Sequence, residues 1–91
     1  MQFSYRTRGT CSSRIQFDVE DGKVYHVEYT GGCNGNLQGI SRLVEGMDVD
    51  EAIGKLGGIR CGYKETSCPD QLAIALRAAQ QKLEAQKSAE N

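Results

Sequence analysis

The sequence predicts an α+β domain, a three-stranded antiparallel sheet followed by three helices. Two observations carry that expectation. Over the first thirty residues apolar side chains recur at every second position, the period of a half-buried strand. From Leu37 onward they recur at intervals of three and four, the period of a helix with one buried face.

Phe3 and Tyr5 alternate with polar residues and make a short first strand. Gly9 to Ser13 is a turn. Ile15, Phe17 and Val19 alternate with Arg14, Gln16, Asp18 and Glu20 and make the second strand. Asp21-Gly22 then forms a tight hairpin, because both residue types tolerate a positive φ. Tyr25, Val27 and Tyr29 continue the alternation as a third strand, which the glycines between Thr30 and Gly35 end.

Leu37, Ile40, Leu43 and Val44 share one face of a first helix, with Gly46 placed to close it as the C′ residue. Asp48 and Glu51 have the spacing of a capping box and start a second short helix through Ala52, Ile53 and Leu56, stopped by Gly57-Gly58. A loop spans Ile59 to Ser67. Pro69 suits the first turn of a third helix, where its missing N–H costs little. Leu72, Leu76, Ala79 and Leu83 mark that helix's buried face, and beyond Gln80 the polar chain is expected to fray. No repeat, linker or second domain is visible, so residues 1–91 read as one domain with a polar tail from about residue 84.

With 11 basic and 12 acidic residues the formal net charge is −1, which gives no electrostatic case for nucleic acid or a membrane surface. No apolar run is long enough to span a bilayer, and Met-Gln-Phe-Ser-Tyr-Arg lacks the apolar core of a secretory signal. The expected compartment is the cytoplasm, where thiols stay reduced.

Four cysteines stand out: Cys11, Cys33, Cys61 and Cys68, each in a turn-like context. In a reducing compartment four cysteines read as metal ligands or redox groups before disulfides. Element parity places all four at one end of the domain. The first turn lies at the top, the third strand returns to it, and two further helices carry the chain down and back up. Cys33 precedes one helix and Cys68 is expected at the N-cap of another, where helix dipoles favour thiolate. Thiolate is the form that binds zinc or an iron–sulfur cluster. No Cys-x-x-Cys pair occurs, so the spacing leaves open a metal or cluster site, a redox pair of Cys61 and Cys68, or unrelated thiols in a nucleotide-binding or interaction module. His26, on the polar phase of its strand, reads as a surface residue. No nucleophilic triad or carboxylate pair stands out, so no catalytic residues are assigned.

The segment Thr66-Ser67-Cys68-Pro69-Asp70 resembles the signature of the TSCPD-domain family, and the likeness extends over Gly9-Thr10-Cys11-Ser12, Gly31-Gly32-Cys33-Asn34-Gly35, Leu43-Val44-Glu45-Gly46 and Cys61-Gly62. The chain looks like the small stand-alone, four-cysteine branch of that family. Related domains end the adenosylcobalamin-dependent ribonucleotide reductases. The resemblance thus implies an accessory role in deoxyribonucleotide synthesis, with a ribonucleotide reductase or a cluster-handling protein as partner. A more distant similarity is to iron–sulfur scaffold proteins of the IscU/NifU type, which share the order of strands and helices. That similarity implies Cys11, Cys33 and Cys68 as ligands of zinc or a cluster. The aspartate near the scaffold's first cysteine is Ser12 or Ser13 here, and the histidine beside its last is Ser67, so Cys61 is the candidate fourth ligand.

Overall fold

The computed structural model describes residues 1–10, 12–32 and 34–90, with the side chains of residues 34 and 87–90 left aside. Its elements are β1 (Gln2–Arg6), β2 (Ser12–Glu20), β3 (Lys23–Gly31), α1 (Asn34–Val44), α2 (Val49–Leu56) and α3 (Cys68–Glu90). The strands form one antiparallel sheet in the order β1-β2-β3, as the alternation predicts.

The sheet is amphipathic because the side-chain period of a strand is two. Ile15, Phe17 and Val19 of β2 are buried, while Arg14 and Glu20 are exposed. Phe3 sits opposite Phe17, and their rings stack at 5.6 Å. Asp21 and Gly22 both take positive φ (52° and 75°), the backbone of a two-residue type I′ hairpin.

The third strand departs from simple alternation. Its pairing shifts between Gln16 and Asp18, and His26 lies opposite this irregularity with φ 54°. A bulge adds one residue and turns the later side chains over. Val24 and Val27 are therefore both buried, while Tyr25 is only half-buried.

α1 lies along β3 and buries Leu37 and Val44, with Ile40 half-buried. Leu43, expected on that face, is 76 % exposed. At 100° per residue it falls well to one side of the stripe through 37, 40 and 44. Gly46 (φ 79°) donates its N–H to Val24 O (2.7 Å), returning the chain to the start of β3. Asp48 occupies the N-cap of α2 but makes no side-chain cap bond. Val49 N instead donates to Gly22 O at 2.9 Å, so the helix start is held by the hairpin. α2 packs on α3, which crosses β2 and closes the core with Leu72, Leu76 and Ala79. α3 does not stop near Gln80. It continues to Glu90, through a run of Gln, Lys, Leu, Glu and Ala that are all strong helix formers. Among the described residues no helix is long and apolar enough to cross a membrane.

Candidate functional site

The expected parity holds for every described element, and the end of the sheet where β1 passes to β2 carries the start of α3. Three backbone positions set this up. Gly9 takes φ 72°, and a Cβ there would come within 3.1 Å of Thr66 Cγ2, so the β1–β2 turn lies against the loop before α3. Gly32 takes φ 82°, and a Cβ there would meet Leu37 Cδ1 at 2.9 Å and Ser12 N at 3.2 Å. Ser12 itself pairs with Gly31 across the sheet.

The segment from Thr66 to Asp70 is a hydrogen-bonded clasp. Ser67 is the N-cap of α3: its Oγ accepts from Asp70 N (3.2 Å) and its carbonyl from Gln71 N (2.8 Å). Cys68, expected at the N-cap, is therefore the first helical residue, because a serine hydroxyl is the better cap acceptor. Ser67 Oγ also donates to Ile59 O (2.5 Å). The Asp70 carboxylate accepts from Gly58 N (2.7 Å) and Thr66 Oγ1 (2.5 Å), drawing both ends of the loop together. Buried Gln71 spans to the sheet, donating to Thr66 Oγ1 (2.9 Å) while its Oε1 accepts from Arg8 N (3.1 Å).

Cys68 is half-buried in this frame, a free thiol 3.2 Å from the buried Ser12 hydroxyl. Ser12 is further held by Thr10 Oγ1 at 3.2 Å and by the Thr7 hydroxyl on its carbonyl. Tyr29 donates its hydroxyl to Cys68 O at 3.0 Å. Burial, and then the adjacent Cys68 sulfur, push the Tyr29 hydroxyl well above the ordinary tyrosine range. A neutral phenol is thus fixed beside the thiol as a donor.

Cys61 is a free, exposed thiol in the loop. Its N–H donates to Thr66 O (3.3 Å), which keeps it close in the chain fold to the clasp. Cys11 and Cys33 lie outside the described residues. What is described is their chain neighbours: Ser12 and Gly32 approach each other, and Ser12 touches Cys68. Among the described residues no group of three or more His, Cys, Asp or Glu side chains is arranged to hold a metal ion.

His26 is a surface residue, as its strand phase predicts. Its ring nitrogen meets Asp18 Oδ2 at 2.9 Å, and its N–H donates to the Glu45 carboxylate. That pairing with Asp18, and then the charge of Glu45, raise its pKa.

The sequence does not single out Tyr29, which reads only as a sheet residue, or Gln71, although Tyr29 meets the Cys68 carbonyl and Gln71 joins Thr66 to Arg8. The sole signal was polarity on a face otherwise apolar, and a glutamine one residue beyond the signature motif looks like any helix-surface residue.

A family model described as the TSCPD domain matches residues 3–80. No curated protein and no solved structure matches the chain, so the comparisons add nothing to the expected likeness to the scaffold proteins.

Proposed function

We propose, from the fact that this chain belongs to the TSCPD domain family, that it is a small cysteine-ligated metal module, holding zinc or an iron–sulfur cluster and acting as an accessory to ribonucleotide reduction. One observation carries the metal reading: Cys68 opens α3 in contact with Ser12, and Ser12 is the chain neighbour of Cys11 and approaches Gly32, the neighbour of Cys33. The donor chemistry fits. Thiolates are the ligands of structural zinc and of clusters, and a sulfur in the first turn of a helix is stabilised as thiolate. Cys11, Cys33, Cys61 and Cys68 would hold the group, which would brace the two sheet-end segments against α3. Tyr29 donates to the Cys68 carbonyl and so sets its backbone, and the Ser12 hydroxyl shares a hydrogen bond with its sulfur. The link to ribonucleotide reduction is supported by the family alone.

Elemental analysis and an absorbance spectrum of anaerobically purified protein test the metal reading. Stoichiometric zinc, or the visible absorbance of a cluster, is expected, with loss of either in Cys68→Ser. Metal-free protein that forms a Cys61–Cys68 disulfide on mild oxidation would replace this reading with a thiol redox pair. Addition of the purified protein to an adenosylcobalamin-dependent reductase tests the second half. No binding and no change in turnover would remove that role.

A further inference from the structure

The outer face of the sheet carries a pair of arginines that the cysteine site does not use. Arg6 of β1 and Arg14 of β2 are direct cross-strand partners, and Arg14 is in turn opposite Thr30 of β3. Cross-strand neighbours on one face have Cβ atoms about 5 Å apart, and like charges so placed repel each other. Both arginines are exposed, and among the described residues neither makes an ion pair. Glu28, the acidic residue nearest in register, lies one row down opposite Gln16 and pairs with neither. The two guanidinium groups line a hollow of about 640 Å³ together with the hydroxyl residues Thr10, Ser12, Ser13 and Thr30. Among the described residues no carboxylate lines it.

The local charge is notable in a chain whose net charge is −1. The opposite end of the sheet is acidic, with Glu20 and Asp21 at the hairpin and Asp48 and Asp50 at the start of α2.

We infer that this hollow is a phosphate subsite, taking the phosphate or diphosphate group of a small soluble molecule between Arg6 and Arg14. A guanidinium presents a planar fork that matches two oxygens of a phosphoryl group. Two forks side by side suit a diphosphate, and such a ligand turns the Arg6–Arg14 repulsion into a binding contribution. Ser13 Oγ is committed to Thr30 O at 3.3 Å, and Thr10 and Ser12 to each other, so the hydroxyls form a fixed polar wall around the two cations. The inference does not rest on the metal reading, because Arg6 and Arg14 are not among the residues proposed to hold the metal.

Calorimetric titration with inorganic pyrophosphate, at ionic strength held constant with sodium chloride, tests it. Metal content is measured on the same samples, so that loss of the metal and loss of the anion are scored separately. The wild-type chain is expected to bind pyrophosphate, with affinity at least tenfold weaker in Arg6→Gln and in Arg14→Gln. Arg77→Gln, on the exposed side of α3, leaves affinity unchanged. Arg14→Lys keeps the charge but loses the fork, and it weakens binding while the fold stays intact. No binding by the wild type, or equal weakening by Arg77→Gln, overturns the proposal. Vesicles of phosphatidic acid in phosphatidylcholine separate a lipid headgroup from a soluble ligand. Sedimentation with those vesicles, combined with indifference to pyrophosphate, also overturns it.

Discussion

The two ends of the sheet are held together in different ways. At the hairpin end the helices are joined to the sheet chiefly by backbone bonds, Gly46 N to Val24 O, Val24 N to Met47 O, and Val49 N to Gly22 O, all at 2.7–2.9 Å, with the Glu45 carboxylate on His26 N beside them. At the cysteine end the ties are side chains: Thr66, Ser67, Asp70 and Gln71 to one another, to Gly58 and Ile59, and to Arg8. Every residue but proline can make a backbone bond, so the first kind of end constrains sequence only where a turn needs a positive φ. The second kind requires specific side chains. The TSCPD signature is thus a description of a clasp: a hydroxyl, a cap, a thiol, a proline in the first turn and a carboxylate that closes the loop.

That contrast is open to direct attack. The largest effect is expected from Gln71→Leu, which takes the acceptor from the part-buried Arg8 N–H and removes a donor to Thr66. Each hydrogen bond lost costs about 0.5–1.5 kcal/mol, so the denaturation midpoint should fall clearly while the unfolding slope stays the same. Gly32→Ala should come next. Its Cβ would be forced to 2.9 Å from Leu37 Cδ1 at φ 82°, a strained position costing on the order of 1–3 kcal/mol. Gly46→Ala at the other end has only Tyr25 Cε1, at 4.0 Å, near its Cβ. It should lose less, about 1 kcal/mol from conformation alone. Equal losses at the two glycines would show that the ends are equally tight. Ser67→Ala removes the cap and should cost about 1 kcal/mol by thermal unfolding, whereas Asp48→Ala at α2, where no cap bond exists, should change little.

Smaller effects should appear as differences in pH dependence. Tyr29 has its folded pKa raised, so its contribution is complete below the unfolded value of about 10 and is lost as pH rises beyond it. Tyr29→Phe should therefore flatten the alkaline loss of stability, read as unfolding free energy between pH 8 and 11. His26 is the weakest case because it is fully exposed. Its raised pKa means that its contribution is present below pH 6.5 and fades as pH rises through the folded value. His26→Asn should remove a slight decline in stability on the alkaline side of pH 6.5. A decline unchanged in the variant would assign it to other groups.

Strand and helix order followed from periodicity because each element buries one face, and burial imposes its period on the residues. The hairpin at Asp21-Gly22 and the stops at Gly46 and Gly57-Gly58 were legible because a backbone bend has a residue signature. The bulge at His26 was not: histidine carries no bulge signal, and only the competing registers on either side of it force the extra residue. The exposure of Leu43 was likewise settled by which side of α1 found the sheet, whereas the run of α3 to Glu90 follows from the helix propensity of its residues.

For the site, the sequence alone singled out the four cysteines and the end of the fold to which Cys61 and Cys68 belong, since counting strand and helix reversals needs only element order. It could not reveal that Ser12 and Tyr29 meet the start of α3 and that Gln71 reaches Arg8, or that Arg6 and Arg14 are opposed with no carboxylate among the described residues lining their hollow. Those are facts of register and of contacts across 39 to 63 positions of chain. Local physics writes itself into neighbouring residues. A meeting of distant ones depends on the relative placement of whole elements, and only the tertiary structure decides that.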